Sequence, residues 1–156
     1  MVSRIRDDAR AADKLHERSR KVLVESVRAG AAAGLSQRQI AEAIGRSQPE
    51  VSRLLRFRGV TELGRRVERN RAVLLKLLSA HGARNVRVFG SVSRGEDTLG
   101  SDVDLLVDFR EPLSLFALVR LESSAAELLG ASVDIVPASG LRANIAERAL
   151  AEAVPL

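Results

Sequence analysis

The chain has 156 residues, 46% hydrophobic and 29% charged, enough for one ordinary domain or two small ones and unlike a disordered chain. Cysteine is absent and His16 and His81 are the only histidines, so disulfides, thiolate catalysis, cysteine-ligated zinc and a histidine-rich metal centre are excluded. The net charge of +5 is uneven: residues 1–70 carry 16 Lys/Arg against 9 Asp/Glu, and residues 71–156 carry 9 against 11. A basic front half points to a polyanionic partner, although an arginine-rich solvated surface gives the same excess. The longest run without a charged residue is nine, Ala29 to Gln37, against ~20 for a membrane-spanning helix. The N-terminus mixes charges from the start and lacks the apolar stretch of a signal peptide. The expectation is a cytoplasmic protein without a membrane partner.

In chain order, Asp7 to Ala29 reads as a helix whose stripe is Leu15, Val22, Leu23, Ser26 and Val27. Two short helices follow, each announced by a capping box: Ser36 with Gln39, and Ser47 with Glu50, with Pro49 tolerated in the first turn. Gly45 lies in the turn between them, and Phe57 to Thr61 reads as a linker. A long helix is expected from Glu62 to Ala80, stopped by Gly82. Strand-like runs follow at Asn85–Phe89, Asp102–Phe109 and Ser132–Val136, with a helix from Ser114 to Leu129 before the third and a final helix from Leu141 to Ala153. The fold class is mixed α/β: an all-α helix-turn-helix domain over residues 1–58, then a small α/β domain over residues 59–156.

Leu35–Leu55, LSQRQIAEAIGRSQPEVSRLL, resembles the helix-turn-helix core of phage-repressor-like regulators. The resemblance makes Ser47–Phe57 a recognition helix. Gln48, Ser52 and Arg53 would face bases in the major groove of operator DNA, and Arg46, Arg56 and Arg58 would contact phosphates. Capped helix pairs also occur in bundles that touch no DNA. Since such modules read paired half-sites, a homodimer or a partner-bridged assembly is expected.

The second informative stretch runs from Val88 to Val107, VFGSVSRGEDTLGSDVDLLV. Period-two alternation puts Asp102 and Asp104 on one face of a strand and Val103, Leu105 and Val107 on the other. The same rule sets Asp134 apart from Val133 and Ile135. Ionised carboxylates about 6 Å apart repel by roughly 3 kcal/mol at an effective dielectric near 20, a cost that divalent cations remove. An isolated Asp-x-Asp would merely end a strand at solvent. Gly90-Ser91 supplies small residues where backbone amides and a hydroxyl can approach a triphosphate.

Gly90-Ser91, Arg94-Gly95-Glu96, Ser101, Asp102-x-Asp104 and a later strand with Asp134 resemble the minimal nucleotidyltransferase family of the DNA polymerase beta superfamily. The resemblance covers about Glu62 to Leu156 and implies a small polymerase-beta-like domain. It makes Gly90 and Ser91 part of a nucleotide cradle and Asp102 and Asp104 ligands of Mg²⁺. Asp134 becomes a third ligand that could also activate the attacking hydroxyl. Arg94 either holds phosphate charge or forms a salt bridge at the turn. Asp108 reads as a surface charge, and His16 and His81 as exposed helix residues.

Stand-alone members of this family resemble antitoxins that pair with a HEPN-type RNase toxin and move AMP from ATP onto a toxin tyrosine. The implied function is an Mg-dependent nucleotidyltransferase antitoxin that also represses its own operon. The alternative is a DNA-binding regulator whose nucleotidyltransferase fold only binds partner or nucleotide. A small-molecule modifier of the aminoglycoside-transferase kind is disfavoured, because no substrate-binding segment is added.

Overall fold

The computed structural model describes residues 1–141, 149–150 and 152–156. The chain divides into two units, Met1–Leu55 and Arg56–Leu156.

The first unit holds α1 (Val2–Ala32), α2 (Gln37–Ile44) and α3 (Gln48–Leu55). Its core is Val27, Ile40, Ala41 and Val51, with Leu23, Ile44, Leu54 and Leu55 against it. Both expected capping boxes form. Gln39 N–H donates to Ser36 Oγ while Ser36 N–H donates to the Gln39 side chain, and Ser47 and Glu50 exchange the same pair of bonds. Gly45, at φ +64, closes α2 in the left-handed region that glycine adopts without strain. The expected stripe on α1 is corrected: Val27 is buried, but Leu15 and Val22 are 68% and 55% exposed. Helices of eight residues rise only ~12 Å, so α2 and α3 can cover no more than the last turns of α1.

The second unit opens with α4 (Glu62–Arg69) and α5 (Arg71–Ser79), followed by β1 (Ala83–Phe89), α6 (Gly90–Arg94), β2 (Val103–Phe109), α7 (Leu115–Leu129), β3 (Val133–Pro137) and β4 (Val154–Pro155). The sheet order is β3-β2-β1-β4; β2 and β3 run parallel, joined through α7, and the other pairs are antiparallel. Val103, Leu105 and Val107 face inward with Val86, Val88, Val133 and Ile135, and Leu74, Leu78, Leu121 and Leu129 of α5 and α7 cover them. Each fully buried leucine contributes about 1.5–3 kcal/mol relative to exposure.

Three expectations change. The single helix over Glu62–Ala80 is two, because Asn70 turns its side-chain amide onto the Arg66 carbonyl (2.9 Å) and ends α4. A short helix, α6, begins at Gly90 where a turn was expected. Most of the expected Leu141–Ala153 helix lies outside the described residues, but Ala149, Leu150 and Glu152 are helical and Val154–Pro155 then pairs with β1 as a strand. The last residues are tied in: Phe57 N–H donates to the Pro155 carbonyl, Leu156 N–H to the Val86 carbonyl, and Arg71 to the Leu156 carbonyl.

Candidate functional site

The parallel register of β2 and β3 sets Asp104 directly opposite Asp134. Partnered residues on parallel strands project to the same face, about 4.8 Å apart across the ladder. Asp102 sits one residue before β2 and is exposed, whereas Asp104 is half-buried. Burial, then Asp134, then Asp102, push the Asp104 carboxyl above the usual carboxylate range, and Arg94 opposes them. Among the described residues none of the three aspartates has a hydrogen-bond or ion-pair partner.

Antiparallel pairing places Phe89, the last residue of β1, opposite Asp104, so the chain leaves the sheet at Gly90 beside that carboxylate. Gly90 has φ +69, and a Cβ built there would sit on Oδ2 of Asp104. Glycine is therefore required twice, for its backbone and for its missing side chain. Buried Val92 anchors α6, Ser93 donates to the Gly90 carbonyl at 2.8 Å, and half-buried Ser91 accepts through its carbonyl from Glu96 N–H at 2.9 Å.

Of the two readings of Arg94, this structure contains the salt bridge. Nε contacts Glu96 at 2.7 Å and Nη1 contacts Glu152 at 2.8 Å. Sequence reasoning missed Asp97, whose Oδ1 is buried without a partner among the described residues; no spacing or alternation marks it. Asp108 is no free surface charge, since Arg87 binds it at 2.7 Å and Asn85 at 2.8 Å. His81 follows α5 in a turn, its Nδ1 near the Leu77 carbonyl, and His16 is exposed on α1.

A half-buried carboxylate opposite another, with a third nearby and no protein donor among the described residues, has the hard-oxygen chemistry that suits Mg²⁺. The place a Cβ at Gly90 would take is occupied by Oδ2 of Asp104. The three carboxylates do not, however, close on one ligating point: among the described residues no group of three His, Cys, Asp or Glu does.

The nucleotidyltransferase domain family matches residues 71–156, more than half of the chain. The chain belongs to that family. The protein adenylyltransferase MntA of Thermococcus cleftensis is 46% identical over 79 residues, covering 51% of this chain and 80% of its own. A candidate protein adenylyltransferase of Methanocaldococcus jannaschii is 38% identical over 81 residues, covering 52% and 87%. Among solved structures, a chain described as a candidate minimal nucleotidyltransferase superposes with TM-score 0.55 and 44% identity, over 62% of this chain and 98% of its own. A toxin–antitoxin crystal structure with AMP-PNP superposes at TM-score 0.51 and 24% identity, over 55% and 71%, a likeness of fold alone.

The nucleotidyltransferase match leaves the first unit outside it. There, Arg53 is exposed on α3 and Ser52 is half-buried. The Gln48 amide donates to Gln37 at 2.5 Å, and Arg46 pairs with Glu50 at 3.7 Å. Arg56 and Arg58 are exposed but belong to the second unit. No helix among the described residues is long and apolar enough to cross a membrane.

Proposed function

We propose that this nucleotidyltransferase is an antitoxin that transfers AMP from ATP to a hydroxyl of a partner toxin, with Mg²⁺, and that its first unit binds operator DNA. The observation that carries the reading is the opposition of Asp104 and Asp134 beside a glycine that must lack a side chain. The name of the 46% identical relative, protein adenylyltransferase, supports transfer to protein, and the toxin–antitoxin setting of the fold neighbour suggests the partner class.

In the reaction, the acceptor oxygen forms a bond to the α-phosphorus, the bond to the bridging oxygen breaks, and pyrophosphate leaves. Asp134, the exposed member of the opposed pair, takes the hydroxyl proton. Asp102, Asp104 and Asp134 would hold Mg²⁺, which supplies charge neutralisation at the phosphates. Gly90 and Ser91 line the side from which the triphosphate approaches, and Arg94 can exchange its carboxylates for phosphate oxygens.

The alternative is a fold that only binds partner or nucleotide. The discriminating experiment is incubation with α-labelled ATP, Mg²⁺ and the cognate toxin. The transferase reading expects label on the toxin, release of pyrophosphate, and at least about a thousandfold loss in Asp104→Ala. Absence of label with the unaltered chain sinks it and leaves the binding-only reading. For the DNA reading, Arg53→Ala should weaken specific duplex binding by ~1–3 kcal/mol in a gel shift, without altering transfer.

A further inference from the structure

Every residue from Met1 to Val22 is exposed, including the large apolar Ile5 (61%), Leu15 (68%) and Val22 (55%), although α1 is helical throughout. An isolated helix of ~20 residues is marginal in water. The i,i+4 pairs Arg4–Asp8 and Lys21–Glu25 help little, being exposed and 4.0 Å long. Ile5, Asp8, Ala12, Leu15, Ser19 and Val22 follow a three-four spacing, the period of a two-helix seam. Val22, Ser26 and Ala29 stay exposed where Leu23 and Val27 turn towards α2 and α3, so the seam and the helix-pair core use different faces of α1.

From the pairing these residues allow, we infer that α1 docks antiparallel on α1 of a second copy of this chain. Let residue i meet residue 27 − i of the partner. Ile5 then meets the partner's Val22, Leu15 meets the partner's Ala12, and Asp8 meets the partner's Ser19. Large faces small, apolar faces apolar, and the one carboxylate faces a hydroxyl that can donate to it. Arg4 comes beside the partner's Glu25 on the flank. A parallel pair would instead set Asp8 against the partner's Asp8 and leave both serines facing each other, so charge complementarity selects the antiparallel arrangement. The twofold axis passes between Asp13 and Lys14, which makes the contact self-complementary and closed. The rise of an α-helix puts the two Val27 positions, where the helix pairs pack, about 40 Å apart, near the ~34 Å of one DNA turn. The fit to DNA rests on the proposed DNA reading; the coil does not.

The chain has no cysteine, so introduced thiols report cleanly. Asp8→Cys and Ser19→Cys chains should form a mixed disulfide when combined, and neither should form a disulfide dimer alone. Light scattering should give a dimer mass for the unaltered chain, and Leu15→Asp should weaken self-association by about a hundredfold, since two apolar contacts are lost per dimer. A monomer mass at the highest attainable concentration overturns the proposal. Disulfide dimers of each variant alone, with no mixed product, overturn the antiparallel register. Dimers that ignore duplex DNA uphold the coil and sink the DNA reading, while a monomer that still binds duplex does the reverse.

Discussion

Asp104 and Asp108 share one strand and one face of the sheet, with buried Leu106 between them, yet their surroundings differ completely. Asp108 meets the guanidinium of Arg87, only 13% exposed in its side chain, and the Asn85 amide. Asp104 meets a second aspartate across the ladder and a third before the strand, and among the described residues the charge of Arg94 opposes them without an ion pair. One end of β2 has its negative charge matched within the chain, and the other has no ion-pair partner among the described residues. A carboxylate with a structural role acquires a partner; Asp104, which has none among the described residues, is the one the proposed function gives to a ligand.

Gly90→Ala should break the contrast most severely. The methyl group would press on Asp104 in a backbone conformation that L-residues avoid, so we expect at least about a hundredfold loss of transfer activity with a destabilisation of ~1–3 kcal/mol. Rate measurement beside a denaturant titration checks both. Arg87→Ala should come next, at about 1–3 kcal/mol in the same titration, because it leaves the half-buried Asp108 unmatched and removes packing. An unchanged midpoint would show that the pair contributes nothing.

Asp104→Asn should act in the opposite sense. Burial and neighbouring carboxylates raise the folded-state pKa of Asp104, so its contribution is most favourable below the unfolded pKa and is lost as pH rises through the folded one. At neutral pH without metal, the asparagine should stabilise by about half a kcal/mol after allowance for solvent screening, or ~2–4 °C in a melt. The advantage should vanish at acid pH; a variant that melts no higher at neutral pH would contradict the repulsion. Smallest of all, Asp108→Asn loses the charge and keeps one acceptor oxygen for the two donors, Arg87 and Asn85, at a partly exposed site, so a cost of about 0–1 kcal/mol is expected in the same melt.

Much of this was legible in the sequence. Period-two alternation separated Asp102 and Asp104 from Val103 and Leu105, and the Ser36 and Ser47 caps are local patterns that the structure reproduces. What was illegible depends on partners remote in sequence. No spacing within the chain says that Asp134 stands opposite Asp104 rather than one residue away, since register is settled by the two strands together. The same remoteness hid Arg87 and Asn85 from Asp108. The stripe on α1 was overextended for a related reason: periodicity shows that a face is apolar, not what covers it. Asn70 was passed over because a single asparagine in a strong helical pattern carries little weight until its amide turns back.

The two outer strands, β3 and β4, each carry a proline, Pro137 and Pro155. Proline has no N–H to offer an incoming strand and its ring crowds the approach, so both rims of the sheet resist templating by another chain. A four-stranded sheet with two such margins is guarded against amyloid-like stacking and strand exchange. Replacing either proline would reopen a margin and invite aggregation even where the folded state lost nothing.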